Sequence, residues 1–364
     1  PDLCIVDANY GMFKEDVETA RVIYDLKQNH PHSWPKSIIG ATAKNHKERT
    51  TEIVEILGEV IPPKASVQST DDDILKAIRR KNVSLDAIMT MAKAVVQGVG
   101  GQSESEIILC LEGDSKRAHF KSVTDMLDAQ MTFIRMYQCM LLPGTQSSLK
   151  ENQAKYKMET RFRVLPRCFG EYNIQGHTIP VADIEEIVVA NSTMPYQDYQ
   201  DCRDFDLSVE IFNNDSILLD LVSFLVRHDV TRSEFILAAH DQIVNGEGVL
   251  PQLYTQFREE EKGNLWNTRE ELEIFIQQPG VIDRYIEGEY GTNELYKYRA
   301  LAVFHHIEAL HDVAYEVAKN LLKQREAYTD SVADYLSELR QFSLMRKRDI
   351  LDTNQTKRQT FRYD

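Results

Sequence analysis

The sequence lacks the cysteine spacing of a metal site. Its 364 residues include five cysteines, and no two of them form a CxxC pair. Zinc and iron–sulfur sites need thiolates at short, fixed spacings, so we predict that this chain holds no metal. Dispersed thiols are instead typical of buried side chains in a reducing compartment. They are Cys4, Cys110, Cys139, Cys168 and Cys202.

The sequence also lacks long apolar runs and an excess of positive charge. No apolar stretch approaches the ~20 residues that a membrane-spanning helix needs. A net charge of −15 argues against a basic face that could neutralise a phosphate backbone, and the basic residues near the C-terminus fit a solvated helix end. We therefore expect a cytoplasmic protein that binds neither membranes nor nucleic acids.

Residues 1–155 contain a regular alternation of strand and helix patterns. Short apolar runs bounded by turn residues predict strands, and apolar residues at helical spacing predict the helices between them. Such alternation with short loops indicates an α/β fold with a parallel sheet, either open or closed as a barrel. The predicted strands cover residues 3–6, 37–43, 65–68, 107–111 and 132–142, and the predicted helices cover 14–28, 47–57, 72–80, 84–96 and 118–129.

The pattern changes after this first part. The apolar pattern of residues 156–205 predicts an irregular α+β connecting segment, and that of residues 206–364 predicts a mainly α-helical domain. No internal repeat or low-complexity linker separates these parts. The expected details are short strands at 161–169 and 178–189, helix starts at Asp215, Ser233 and Asn267 or Thr268, and long helices over 293–325 and 330–350.

Polar side chains lie where several predicted strands end. The stretch VDANYGMFKED places Asp7 and Asn9 after the first strand. The stretch SVQSTDDDILKAIRRKN places Gln68 and Ser69 at the end of the third strand, with Arg80 twelve residues beyond Gln68. In α/β barrels the ligand-binding groups sit on the loops after strand C-termini. Taken singly, each stretch is also compatible with an ordinary capped helix and a surface arginine.

Taken together, five segments resemble strands two to six of the radical S-adenosylmethionine barrel, in the subgroup that usually carries an N-terminal cobalamin-binding domain. They occur in the family's order over residues 3–145, and RFRVLPRCFGEY and VADIEEIVVANSTM resemble the region that follows the barrel. The resemblance implies a partial (β/α)6 barrel over residues 1–155, followed by the connecting segment and the helical domain. The five segments are VDANYGMFKED, GATAKN, SVQSTDDDILKAIRRKN, IILCLEGDS and RMYQCMLLPGT.

The resemblance also implies which residues hold S-adenosylmethionine. Two of them fall where many relatives contact its methionyl amino group, and two at a strand end where relatives often place a carboxylate. Others match cofactor-holding residues of related barrels, where a guanidinium suits a carboxylate because it can bind it bidentately. Asp7 and Asn9 fall at the position that contacts the amino group, and Thr42 and Lys44 fall at the strand end. Gln68, Ser69 and Arg80 match the cofactor-holding residues, and Glu106 falls at a position that faces the ribose or the substrate.

The most serious departure of the sequence from the family is at one motif. The family binds a [4Fe-4S] cluster through a CxxxCxxC loop after the first strand, and no such loop is present. We expect the first strand, its cysteine loop and any cobalamin domain to precede Pro1, so this chain alone would be inactive. In the intact family an electron donor reduces the cluster and S-adenosylmethionine is cleaved to a 5′-deoxyadenosyl radical. That radical takes hydrogen from a small-molecule substrate, or cobalamin relays a methyl group.

Two alternatives stay open at this point. The chain could be a barrel relative that lost the cluster and acts as a non-catalytic binding or scaffolding module. A helical adaptor would suit residues 205–364, but it leaves the motifs of the first half unexplained.

Overall fold

The computed structural model describes residues 2–30, 32, 34–43, 47–58, 61, 64–82, 103–349, 351–352 and 356–363. The chain divides into two compact units. Among the described residues, no helix combines the length and the apolarity needed to cross a membrane. The first unit comprises Pro1–Gln68, Asn82–Ile107 and Asp125–Arg135, and the second comprises Ser69–Lys81, Ile108–Thr124 and Met136–Asp364.

A two-stranded parallel sheet opens the chain. Strand β1 (Leu3–Tyr10) pairs with β2 (Ile38–Thr42), in a register that places Leu3 opposite Ile38. Helices α1 (Glu15–Asn29) and α2 (Lys47–Leu57) supply one apolar stripe each to the core of this region. That core consists of Tyr10, Val17, Ala20, Ile23, Ile38, Ile53, Leu57 and Ile61.

A second sheet has the strand order β3–β4–β5. Its strands are β3 (Lys64–Gln68), β4 (Glu104–Leu109) and β5 (Phe133–Gln138), with α3 (Asp72–Ala77) after β3 and α4 (Lys116–Asp128) after β4. Strand β4 alternates strictly between partly exposed and buried side chains, as expected for a strand with one covered face. The buried side chains are Ser105, Ile107 and Leu109.

Strand β5 runs parallel to β4. The amide of Phe133 donates to the carbonyl of Ser103 at 3.0 Å, and six residues later the amide of Cys139 donates to the carbonyl of Leu109 at 3.0 Å. Because both strands advance in the same direction between these bonds, they are parallel. The prediction of a mixed α/β first part with parallel strand pairs is confirmed, and the helix expected over 84–96 lies outside the described residues.

The sheets β1–β2 and β3–β4–β5 are separate in the described part of the chain, since no hydrogen-bonded ladder there joins them. Closure of these strands into a barrel therefore stays a prediction.

Residues 159–190 form a long antiparallel hairpin, in place of the short, irregular strands expected there. Strand β6 (Glu159–Ile174) pairs with β7 (His177–Ala190), following the short helix α5 (Lys150–Tyr156). Pro166 is tolerated because the register shifts between Val164 and Phe169. In a two-stranded ribbon each strand is also an edge strand, where a missing amide donor costs little.

Helices make up most of the remaining chain. The helix α6 runs across residue 205, so the expected boundary there falls within a helix, and the single helix expected over 293–325 is broken at His306. The helices are α6 (Tyr196–Phe212), α7 (Leu219–Val226), α8 (Arg232–Val244), α9 (Val249–Gly263), α10 (Arg269–Ile276), α11 (Val281–Ile286), α12 (Glu294–His305), α13 (Ile307–Gln324) and α14 (Asp330–Lys347).

The capping residues test the predicted helix starts. Thr268 caps α10 by accepting from the Glu271 amide, which confirms that prediction. Asp215 is a wrong start, because it lies in a 3-10 turn with φ of 56° and α7 begins later. Ser233 is also wrong by two residues, since Thr231 caps α8 in a capping box with Glu234.

Candidate functional site

Asp7 and Asn9 lie close together on β1. The Asn9 amide donates to Asp7 Oδ1 at 2.8 Å, and both side chains are exposed. They lie within the strand and not after it, because β1 continues to Tyr10 with an irregular register. The turn that follows is held by Asp16, whose Oδ2 accepts from the amides of Gly11 and Phe13 at 2.9 Å. Asp7 can thus offer its second carboxylate oxygen to a ligand.

The next two predicted residues are described only in part. Thr42 is the last residue of β2 and its backbone pairs with Tyr10, while its side chain lies outside the described part of the structure. Lys44 lies entirely outside the described residues. Their contact with S-adenosylmethionine stays a prediction.

Gln68 and Glu106 are brought onto neighbouring strands. Gln68 pairs with Ile107 across the β3–β4 ladder, and Glu106 pairs with Ser66 one step earlier. Gln68 ends β3 with φ of 64°, in the left-handed region that non-glycine residues seldom adopt. Held outliers of this kind cluster at ligand sites, and no feature of the sequence predicts this one.

Ser69 is buried and braces the loop between β3 and α3. Its hydroxyl lies 3.3 Å from Ser122 Oγ and accepts from the Asp71 amide at 3.1 Å. Asp71 then caps α3 by accepting from the amides of Asp73 and Ile74. The side chain of Ser69 is therefore used to position this loop.

Arg80 lies just beyond α3, because this helix ends at Ala77 and not at residue 80 as expected. Its amide donates to the carbonyl of Leu75 at 2.8 Å, and the residue is partly buried and not fully in water. Gln68 belongs to the first unit and Arg80 to the second. Their convergence on one pocket stays a prediction.

The loop after β4, with the sequence LEGDS, is held by two buried carboxyl groups. Asp114 accepts from the amides of Cys110 and Ser115 at 2.9 and 2.8 Å, and burial raises the pKa of Asp114 to about 6. Glu112 Oε1 accepts from the hydroxyl of Ser147 at 2.5 Å and from the side-chain Nδ2 of Asn152 at 3.0 Å. Its Oε2 is buried with no hydrogen-bond partner among the described residues. These groups fix the backbone at the carboxyl end of β4.

Helix α6 carries a buried network of charges that the sequence reading missed. His119 Nε2 lies 2.8 Å from Asp206 Oδ1, and Arg203 reaches Asp206 Oδ2 at 3.1 Å and Glu261 Oε1 at 2.6 Å. Burial disfavours the charged imidazole, but the charge and hydrogen bond of Asp206 outweigh burial, so the pKa of His119 is raised. The result is a four-residue chain of opposite charges inside the second unit.

Two further buried carboxyl groups on α6 pair with distant arginines. Asp204 Oδ2 accepts from Arg258 Nε at 2.6 Å, and burial raises the pKa of Asp204 to about 6. Glu210 Oε1 accepts from Arg299 at 2.9 Å, and burial raises the pKa of Glu210 to about 7. A helix with polar residues on every face gives no amphipathic signal, so its central position was not predicted.

The cysteines of this chain do not fit an iron–sulfur cluster. Cys110, Cys139 and Cys202 are buried in one apolar core cluster. Burial raises the pKa of Cys139 to about 12 and also raises the pKa values of Cys110 and Cys202, so their apolar surroundings disfavour the thiolate form that a cluster needs. Within the described ranges, no three histidine, cysteine or acidic side chains are grouped so that they could hold a metal ion.

Two curated proteins are similar to this chain, and no protein-family model matches it. The 2-(S-pantetheinyl)-carbapenam-3-carboxylate methyltransferase of Streptantibioticus cattleyicolor is 28% identical over 240 residues, which cover 64% of this chain and 34% of that protein. The cobalamin-dependent radical SAM methyltransferase TokK of Streptomyces tokunonensis is 26% identical over 263 residues, which cover 71% of this chain and 37% of that protein.

The chain therefore spans about a third of the length of the curated relatives that it matches. At low identity, over about two thirds of its own length, it is a relative of the radical S-adenosylmethionine methyltransferases of the cobalamin-binding subgroup.

Proposed function

We propose that this chain supplies the S-adenosylmethionine-binding strands and the helical domain of a cobalamin-dependent radical S-adenosylmethionine methyltransferase that acts on a small molecule. The observation that carries the proposal is its similarity to two methyltransferases. A match over 71% of the chain is longer than residues 1–205, so it necessarily includes part of the helical domain. The similarity is thus not confined to the motifs of the strands.

In this proposal β1–β5 belong to a partial (β/α)6 barrel, and polar residues on these strands and on the segments that follow them hold S-adenosylmethionine. The donor set suits the amino acid end of that molecule. The carboxylate of Asp7 can accept from its ammonium group, and the guanidinium of Arg80 can pair with its carboxylate. Gln68 and Glu106, on adjacent strands, would face the same ligand.

The role of this chain is binding and orientation. S-adenosylmethionine, when bound, would supply the 5′-deoxyadenosyl group or the methyl group of the reaction. The [4Fe-4S] cluster would need a cysteine loop of CxxxCxxC spacing from outside this sequence, because the five cysteines here lack that spacing and three of them are buried in one core cluster. The buried loop carboxyl groups Glu112 and Asp114 keep the strand ends rigid, so that the bound ligand is held in one geometry.

The test is the affinity for S-adenosylmethionine of Arg80→Gln and Gln68→Ala, in a protein that also includes the cluster-binding region. Loss of a guanidinium that pairs with a bound carboxylate should weaken binding by about 2 to 5 kcal/mol. The neighbouring Arg79 is exposed, so Arg79→Gln is the matched control and should leave the affinity unchanged.

Unchanged affinity, within about twofold, in both variants would contradict the assignment of the cofactor site. It would favour the second candidate, a non-catalytic barrel relative that binds or scaffolds. The unsuitability of the cysteines for a cluster is the observation that keeps this candidate in view.

A further inference from the structure

A groove between α7 and α14, in the second unit, has the size and lining of a ligand site. It encloses about 470 Å³, within the range of small-molecule pockets. Aromatic, hydroxyl and charged side chains line it, and the C-terminal segment 356–363 forms one wall. The residues used below are Ser223 of α7, Arg227 directly after it, Tyr335 and Phe342 of α14, and Phe361 and Tyr363 of the C-terminal segment.

Aromatic rings build two walls of this α7–α14 groove. The rings of Phe342 and Phe361 meet edge to face with centroids 5.5 Å apart, and those of Tyr335 and Tyr363 do so at 5.4 Å. The C-terminal segment is fixed in place because the Arg362 amide donates to Glu338 Oε2 at 2.7 Å. The geometry therefore offers ring faces and edges to a planar ligand.

The charges of the α7–α14 groove leave one cation without a counterion. Asp220 lies 3.7 Å from Arg346, and Glu338 is paired with Arg362. Arg227 lines the same groove and is exposed, and no residue in the described part of the chain makes an ion pair or side-chain hydrogen bond with it. The hydroxyl of Ser223 on α7 lies one helical turn before Arg227, which caps the C-terminus of that helix. The groove thus has a guanidinium and a hydroxyl ready to donate to an anion.

We propose that the α7–α14 groove binds a small molecule that joins an aromatic ring to one anionic group. The guanidinium of Arg227 and the hydroxyl of Ser223 donate to the anion, since a planar guanidinium matches a carboxylate or phosphate. The ring lies against Tyr335, Phe342 and Phe361. The inference goes beyond the proposed function and does not depend on it, because none of these residues belongs to the set that would hold S-adenosylmethionine.

The experiment uses three probes with the full chain, followed by isothermal titration calorimetry. Indole-3-acetate carries both the ring and the anion, indole-3-acetamide lacks the charge, and cyclohexylacetate lacks the aromatic ring. We expect saturable binding of indole-3-acetate, about tenfold or more tighter than that of either other probe, because each of them loses one of the two contacts. Equal affinity for the acid and the amide, or no saturable binding of the acid, would overturn the proposal.

Variants separate the two contacts. Arg227→Gln should abolish the preference for the acid over the amide, and Phe361→Ala should weaken both indole probes. Arg340 lies on α14 in an ion pair with Asp312 and does not line the groove, so Arg340→Gln is the control and should bind as the wild type does. Arg227→Gln that keeps the full preference for the acid overturns the proposal, and circular dichroism verifies that each variant is folded.

Discussion

The loop between β3 and α3 and the central helix α6 satisfy their polar groups in opposite ways. In the loop, Ser69 Oγ accepts from an amide two residues away, and Asp71 caps the helix that follows it. On α6, Arg203 pairs with Glu261, which is 58 residues away, and Glu210 pairs with Arg299, which is 89 residues away. The hydrogen bonds of the loop join residues that are close in the sequence, so the sequence indicates them directly. The ion pairs of α6 join residues that meet only once the chain has folded.

The difference also sets the expected energies. A half-exposed polar group such as Asp71 exchanges water for a protein partner at little net gain in free energy. A charge in the interior of the second unit is not solvated by water, so the loss of its partner leaves an uncompensated buried ion. Four substitutions measure this contrast.

The largest effect is expected for Arg203→Met. The change leaves the buried carboxylate of Asp206 and the partly buried one of Glu261 without their shared cation, and removal of one partner of a buried ion pair costs about 3 to 5 kcal/mol. The free energy of unfolding from urea denaturation, followed by circular dichroism, measures it. A loss below about 1 kcal/mol would show that the network contributes no more than surface pairs do.

Glu210→Gln should change the pH dependence of stability. Burial raises the pKa of Glu210 in the folded state to about 7, above its ordinary value of 4.5. The folded state therefore binds this proton more tightly, and the resulting stabilisation is complete below pH 4.5 and is lost as pH rises through about 7.

Glutamine does not titrate, so the stability of the wild type minus that of Glu210→Gln should fall by up to about 3 kcal/mol between pH 4.5 and pH 8. Urea unfolding of both proteins across this range measures the difference. Parallel pH profiles for the two proteins would contradict the raised pKa.

Asp71→Ala should have a moderate effect. The change removes the acceptor for two amides of α3, and loss of such a cap costs about 1 kcal/mol. Asp71→Asn keeps an acceptor and should restore most of the stability, which separates capping from charge. Thermal unfolding of the three proteins measures it, and an equal loss in both variants would argue for charge alone.

The smallest effect is expected for Arg269→Gln. Its ion pair with Glu273 lies at the surface, with both side chains about half exposed, and exposed pairs of this spacing contribute about 0.3 to 0.5 kcal/mol. Its change in unfolding free energy gives the baseline against which Arg203→Met is judged. A loss above about 1 kcal/mol would remove the contrast between surface and buried pairs.

Local periodicity predicted much of the fold. The helix expected over 47–57 agrees with α2, and the one expected over 14–28 differs from α1 by one residue at each end. In both, apolar residues recur at helical spacing, which the sequence shows directly. The end of β1 was misplaced because Asp7 and Asn9 are polar, yet they occupy exposed positions of a strand that continues past them. The hairpin was under-predicted because its prolines suggested breaks.

In the candidate site, too, the features set by neighbouring residues were mostly predicted and those set by distant residues were not. The placing of Gln68 at a strand end followed from the apolar pattern, whereas the helix expected over 72–80 was too long, because α3 ends at Ala77 and leaves Arg80 beyond it. The left-handed backbone of Gln68 and the network around Arg203 depend on distant neighbours, which one sequence does not reveal. Pairings across 50 or more residues need either the folded chain or many related sequences.

The rate at which the buried thiols are alkylated can report how often the core of the second unit opens. Cys4 is exposed and should react at once with a thiol-specific reagent, while Cys110, Cys139 and Cys202 share one core cluster and are sealed from it. These three can be alkylated only when that core opens, so their labelling rate in native buffer reports the frequency of opening. Labelling quantified by mass spectrometry would therefore measure how often the core of the second unit opens, with no residue of the chain changed.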